Sequence, residues 1–146
     1  MLNELRVAEF LAALGERTPA PASGAATALT GALAAALTEL AARFAEDDQA
    51  VVRAKAATMR LVELADEDSE AYTAFLANRN DETRARIVAV PEEIAARADE
   101  VAELARGVRV QLSSSSVAGD AEAAIELAET ASRVARRLAA LNVPAR

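Results

Sequence analysis

The 146-residue chain has no cysteine, no histidine and no tryptophan. Without cysteine there is no disulfide framework, no thiol nucleophile and no thiolate metal site, a usage compatible with a reducing compartment. Without histidine, Ser-His-Asp and Cys-His arrangements and imidazole ligation are excluded, so any proton transfer falls to carboxylates, lysine, tyrosine or the backbone. Aromatic residues are only 3%, with one tyrosine. No basic tract occurs, and a net charge of -7 argues against nucleic acid or an anionic membrane surface as partner. Long apolar runs are also missing. The longest uncharged stretch, Thr18 to Thr38, holds two prolines and is mostly alanine and threonine, too weakly apolar for a membrane span. The first ten residues, MLNELRVAEF, carry acids and no continuous apolar core, which is not the pattern of a signal peptide. The expectation is a single cytoplasmic domain, residues 1–146.

What the chain has in quantity is alanine, 40 residues of 146. Alanine favours helix, yet each one brings little area to bury, so the core must come from close helix packing or from a second subunit. The fold class expected is all-α, an antiparallel bundle of about five helices dimerising through helices. A first helix is predicted over Asn3 to Leu14, stopping at Gly15. The turn Thr18 to Gly24 follows, where Pro19 and Pro21 exclude regular helix. A second helix, Ala25 to Phe44, carries Leu29, Leu33, Ala36, Leu37, Leu40 and Phe44 on one stripe with small residues elsewhere, which marks it as the central helix. A third runs from Asp48 to Ala77, with a short helical turn after it between Asn78 and Ala89. Pro91 suits the first turn of a fourth helix, Pro91 to Ala105, ending near Gly107. Gly107 to Gly119, with Ser113 to Ser116, reads as a loop, and a last helix spans Val117 to Leu141.

One residue breaks the pattern. Leu61, Leu64, Ala65, Ala71, Tyr72, Phe75 and Leu76 recur at three-to-four residue spacing on one face of the third helix, and Asp68 falls in the middle of that face. A carboxylate turned inward must lose its charge, find a partner or serve as a site. Asp68 is therefore the candidate catalytic residue, with pairing to a buried arginine or to helix amides as its ordinary alternatives. Ser23 and Gly24 form either a backbone nest for a polar ligand group or a plain helix start. Asp120 sits in a first helical turn, where a carboxylate caps amides or binds ligand. Asp66 shares an acidic edge with Glu70. Tyr72 reads as core with its hydroxyl toward a partner such as Asp68, and Asn142 either binds ligand or caps a helix end.

Three separated segments together resemble the cyclodeaminase/cyclohydrolase family, which includes the C-terminal half of formiminotransferase-cyclodeaminase and stand-alone methenyltetrahydrofolate cyclohydrolases. Thr18-Pro19-Ala20-Pro21-Ala22-Ser23-Gly24-Ala25 is similar to the family's proline-glycine turn opening an alanine-rich helix. Ala65-Asp66-Glu67-Asp68-Ser69-Glu70-Ala71-Tyr72 is similar to its acidic helix motif. Gly119-Asp120-Ala121 and Ala140-Leu141-Asn142-Val143 are similar to the start and end of its last helix. The chain departs from the pattern in five places: the glycine turn is reduced to Ala22-Ser23-Gly24-Ala25, acids Glu46 to Asp48 stand where lysines are usual, Gln111 to Ser116 stand where a Gly-Asn-Pro-Asn loop is usual, Gly119 stands where serine is usual, and the link between Asn78 and Pro91 is short. The resemblance implies an all-helical homodimer that opens or closes a one-carbon bridge on a reduced folate. Asp68 would be the general acid/base and Ser23, Gly24, Asp66, Tyr72, Asp120 and Asn142 the substrate-binding residues. No metal or cofactor is implied, the folate being substrate. Two other readings stand beside it: a repurposed member acting on a non-folate cyclic amine or imine, and a non-catalytic helical dimer that binds a small molecule or a protein.

Overall fold

The structure, a computed structural model, describes residues 1–113 and 116–144. The linker expected at Ser113 to Ser116 falls in part on 114 and 115, outside the described residues. A short 3-10 turn, Leu2–Glu4, precedes five α-helices: α1 Val7–Gly15, α2 Ser23–Phe44, α3 Asp48–Ala77, α4 Asp81–Arg109 and α5 Val117–Asn142. Among the described residues there is no strand. The all-helical class and the helix number match the sequence expectation, and the long helices α2 to α5 alternate in direction as an up-down-up-down bundle.

The first helix begins at Val7 and not at Asn3, with the 3-10 turn in front of it. The larger difference concerns the fourth. In place of a short turn and a helix opening at Pro91, α4 is one unbroken helix from Asp81 to Arg109 with Pro91 buried in its interior. Its start is set by Asn80, whose side chain accepts the Thr83 amide at 2.9 Å while the Asn80 amide donates to the Thr83 hydroxyl at 3.2 Å, a reciprocal cap. Proline has no N–H to give to the carbonyl four residues back. That carbonyl, of Ile87, is taken instead by the side-chain amide of Asn142 at 2.8 Å.

α2 touches α3, α4 and α5 and is the central helix, but its faces are not arranged as its leucines suggest. The buried face is made of small residues, among them Ala25, Ala28, Gly31, Ala32, Ala35 and Thr38. They allow close approach: a Cβ added at Gly31 would meet Leu61 Cδ1 at 3.2 Å, so Leu61 fills the hollow that the glycine leaves. A helix that meets three neighbours with its small face has no room for branched side chains there. Leu33, Leu40 and Phe44 of the stripe are left outside, with Leu33 62% and Phe44 63% exposed, while Leu29 packs partly buried against the core. α1 has no buried residue and borders an apolar groove of about 500 Å³ against α2 and α3, lined by Val7, Phe10, Leu11, Leu29, Leu33 and Val62 among others. α2 also has the length and hydropathy of a membrane-crossing helix, yet most of the qualifying stretch is buried within the bundle.

Polar ties fix the remaining helices. Arg60 of α3 donates to Glu93 of α4 at 2.8 Å and to Glu67 at 2.6 Å. Asp99 of α4 meets Arg136 and Ser132 of α5, the last of these fully buried. Because the helices alternate, the start of α2, the last third of α3, the first third of α4 and the end of α5 converge at one end of the bundle.

Candidate active site

At that convergence lies a cavity of about 270 Å³. Its floor comes from the α1–α2 turn and the first turn of α2 (Pro19, Ala20, Ala22, Ser23, Gly24), one wall from Asp68 and Tyr72 of α3, and the other from Ile87, Pro91, Leu138 and Asn142 of α4 and α5. Five of the seven residues singled out in the sequence, Asp68, Ser23, Gly24, Tyr72 and Asn142, thus meet around one space.

The closest approach in the site is between Asp68 and Gly24. A Cβ built on Gly24 would land within the Asp68 carboxylate, overlapping both oxygens and Cγ. Glycine is required here because the α3 carboxyl rests on the bare backbone of the opening turn of α2. That turn carries free amides and the positive end of the helix dipole. Asp68 forms no ion pair with any described residue, so a buried arginine partner is ruled out within the described chain. Burial pushes its carboxyl above the ordinary aspartate range, and the backbone amide of Ala25 pulls the other way with less effect. The group is half-buried and faces a cavity whose lining has no lysine, arginine or histidine.

Tyr72, one turn beyond Asp68, differs from its expected place in the core: it is 38% exposed at the cavity edge. Ser23 lies in the first turn of α2, with its side chain free of a capping role since the N-cap position is Ala22. Asn142 reaches the cavity from the last turn of α5 through its bond to Ile87. Asp66 does not line the cavity. Its carboxylate accepts the Leu2 amide at 2.5 Å, which holds the N-terminal turn against α3. Asp120 does not line it either, being in the first turn of α5, roughly 33 Å of helix from Asn142 at 1.5 Å per residue. The cavity residues that the sequence reading passed over are Ile87, Pro91 and Leu138. The available signal was Asn80-Asp81-Glu82-Thr83, a helix start that makes Pro91 an interior residue. Among the described residues no group of three or more carboxylates is disposed to hold a metal ion.

The family model described as formiminotransferase-cyclodeaminase matches residues 6–145, nearly the whole chain. No curated protein matches it.

Two outcomes follow from the seat of Asp68. Gly24→Ala, a change that gains roughly 0.5–1 kcal/mol in an ordinary helix, is expected to destabilise by about 1–3 kcal/mol from overpacking in urea unfolding. In an Asp68→Ala background that penalty should shrink or reverse, and equal penalties in both backgrounds would refute the contact. The second concerns pH. A carboxyl whose folded pKa is raised binds its proton more readily when folded, so its favourable contribution is complete below the unfolded value near 3.9 and is lost as pH rises through the folded value. Asp68→Asn should therefore raise the unfolding midpoint at pH 7, and the gain should fade toward pH 3. A gain that persists unchanged in acid would place its cause elsewhere.

Proposed function

The chain belongs to the formiminotransferase-cyclodeaminase family, and on that premise we propose that it is a reduced-folate one-carbon enzyme in which Asp68 is the general acid/base. The family fits folate one-carbon metabolism in general. The finer reading is hydrolysis of methenyltetrahydrofolate, or ring closure of formiminotetrahydrofolate with loss of ammonia, in the cytoplasm. The observation that carries it is a carboxyl raised by burial, unpaired by any cation and facing a cavity. Such a group is placed to move protons between water and a bound substrate.

In the hydrolytic direction the substrate presents a methenyl amidinium, a planar cation. Its approach favours the ionised form of Asp68, opposing the effect of burial, so the base is readied by the substrate it serves. Asp68 takes a proton from water as the oxygen bonds to the methenyl carbon. It then returns the proton to the departing ring nitrogen, the C–N bond breaks, and the added hydroxyl gives up its remaining proton to water as the carbonyl of the formyl product forms. In the cyclising direction the exocyclic amine nitrogen of the folate attacks the protonated formimino carbon, its proton passes through Asp68 to the formimino nitrogen, and the C–N bond to that nitrogen breaks as ammonia leaves. The reading uses no metal and no cofactor, the folate being substrate. Ser23, Tyr72 and Asn142 supply polar contacts at the cavity rim, and Asp66 and Asp120 have no part in it within one chain.

The partner we propose is a second copy of the chain. Leu33, Leu40 and Phe44 on α2, Leu11 on α1 and Val52 and Met59 on α3 are exposed apolar side chains. A standard interface takes ~800 Å² from each partner and has an apolar core, the kind of surface that these side chains offer. α2 carries no charged residue from Ser23 to Thr38, which suits a face that pairs with its own kind.

For the activity, Asp68→Asn should lower kcat for methenyltetrahydrofolate hydrolysis by about 10²–10⁴, followed by loss of the methenyl chromophore. Turnover equal to that of the unmutated protein would remove Asp68 from the chemistry. For the assembly, light scattering should give a dimer mass for the unmutated protein and a monomer mass for a Leu33→Glu/Leu40→Glu variant. A dimer that survives both changes would put the interface on another face.

A further inference from the structure

α4 carries a proline where its interior should have a hydrogen-bond donor, and the consequence reaches the cavity. In a regular helix the amide of residue 91 would donate to the carbonyl of residue 87. Pro91 has no such amide, and both it and Ile87 are buried. An unmet buried carbonyl is costly. The replacement comes from 55 positions away: Asn142 Nδ2 donates to the Ile87 oxygen at 2.8 Å. Ile87, Pro91 and Asn142 all line the same cavity as Asp68. The partner also fixes the orientation of the carboxamide, because a carbonyl can be satisfied only by the nitrogen end. Oδ1 and the second N–H of Nδ2 are then what Asn142 has left to offer, Oδ1 being its one acceptor.

We propose that Asn142 is a positioning residue of the site: by taking the Ile87 carbonyl that Pro91 leaves open, it latches the last turn of α5 to the middle of α4 as the cavity wall, and it presents Oδ1 there as an acceptor for a ligand N–H. The ligand part of this rests on the folate reading above, while the latch part does not. A reduced pterin ring bears N–H donors along its edge, and a wall that offers an acceptor selects for them. The pairing also accounts for a proline within a 29-residue helix, since the defect it makes becomes the socket for the next helix end.

The test is a four-member cycle of the unmutated protein, Asn142→Ala, Pro91→Ala and the double variant. Each is measured by thermal unfolding and by the kinetics of methenyltetrahydrofolate hydrolysis. Asn142→Ala alone should lower Tm by roughly 3–10 °C, the effect of one stranded buried carbonyl in a chain of this size. In the Pro91→Ala background, residue 91 can donate to Ile87 again, and the same change should lower Tm by less than half as much. Equal losses in both backgrounds would overturn the latch. At a temperature where every variant is folded, Asn142→Ala should raise KM about tenfold, as for one lost hydrogen bond, with kcat within about twofold. In the double variant KM should stay high although stability has returned. A scaffold residue would lower the active fraction, and so kcat, without moving KM; that result would overturn the positioning role. No turnover by the unmutated protein would overturn the folate reading instead, and the Tm cycle would still decide the latch.

Discussion

The contact on which the site depends is the carboxyl of Asp68 resting on the backbone of Gly24. It joins two long helices at the point where one opens, and it puts a negative group where the free amides and the dipole of α2 favour one. Neither residue has an independent reason to be what it is. A glycine in the first turn of a helix costs stability unless something needs its missing side chain, and an acid on the packed face of α3 costs stability unless something needs its charge. Together the two costs make one site. The carboxyl is held without a counter-ion and kept from full solvation, the condition under which its proton affinity can be tuned by what enters the cavity.

Packing serves the same end. Small residues on the inner face of α2 let it lie against three helices at once, and Gly31 admits Leu61 into the hollow. The result brings four helix segments to one end of the bundle closely enough to enclose a small cavity. It also turns Leu33 and Leu40 of α2 outward, onto the face we propose a second copy covers. The site and the apolar face are thus two consequences of one choice of small side chains, one at the end of α2 and the other along its outer flank.

Much of this was legible in the sequence, and the failures have physical causes. Asp68 stood out because helical periodicity gives direction to every side chain on α3. The motifs around Gly24, Asp68 and Asn142 pointed to residues that do converge. The leucine stripe of α2 was legible as a stripe but not as an outward one, because periodicity identifies a face without saying what it meets. Asp66 and Asp120 were indistinguishable from Asp68 by residue type. One is held by the Leu2 amide and the other is a helix length away, and both facts are tertiary. Proline's preference for a first helical turn puts the start of α4 at Pro91, because the rule that excludes proline from helix interiors assumes its orphaned carbonyl finds no donor. Here the donor lies 55 residues downstream, beyond any local reading.

The most direct measurement of the central claim is a titration of the Asp68 carboxyl carbon by nuclear magnetic resonance in the ligand-free protein, assigned by comparison with Asp68→Asn. A carboxyl half-buried over Gly24, with no cation beside it, should titrate above the ordinary aspartate value near 3.9 and should move downward when a cationic amidine ligand is added. A midpoint at or below that value, unmoved by such a ligand, would mean that Asp68 is a solvated or paired carboxylate, and the account of the site built on it would fall.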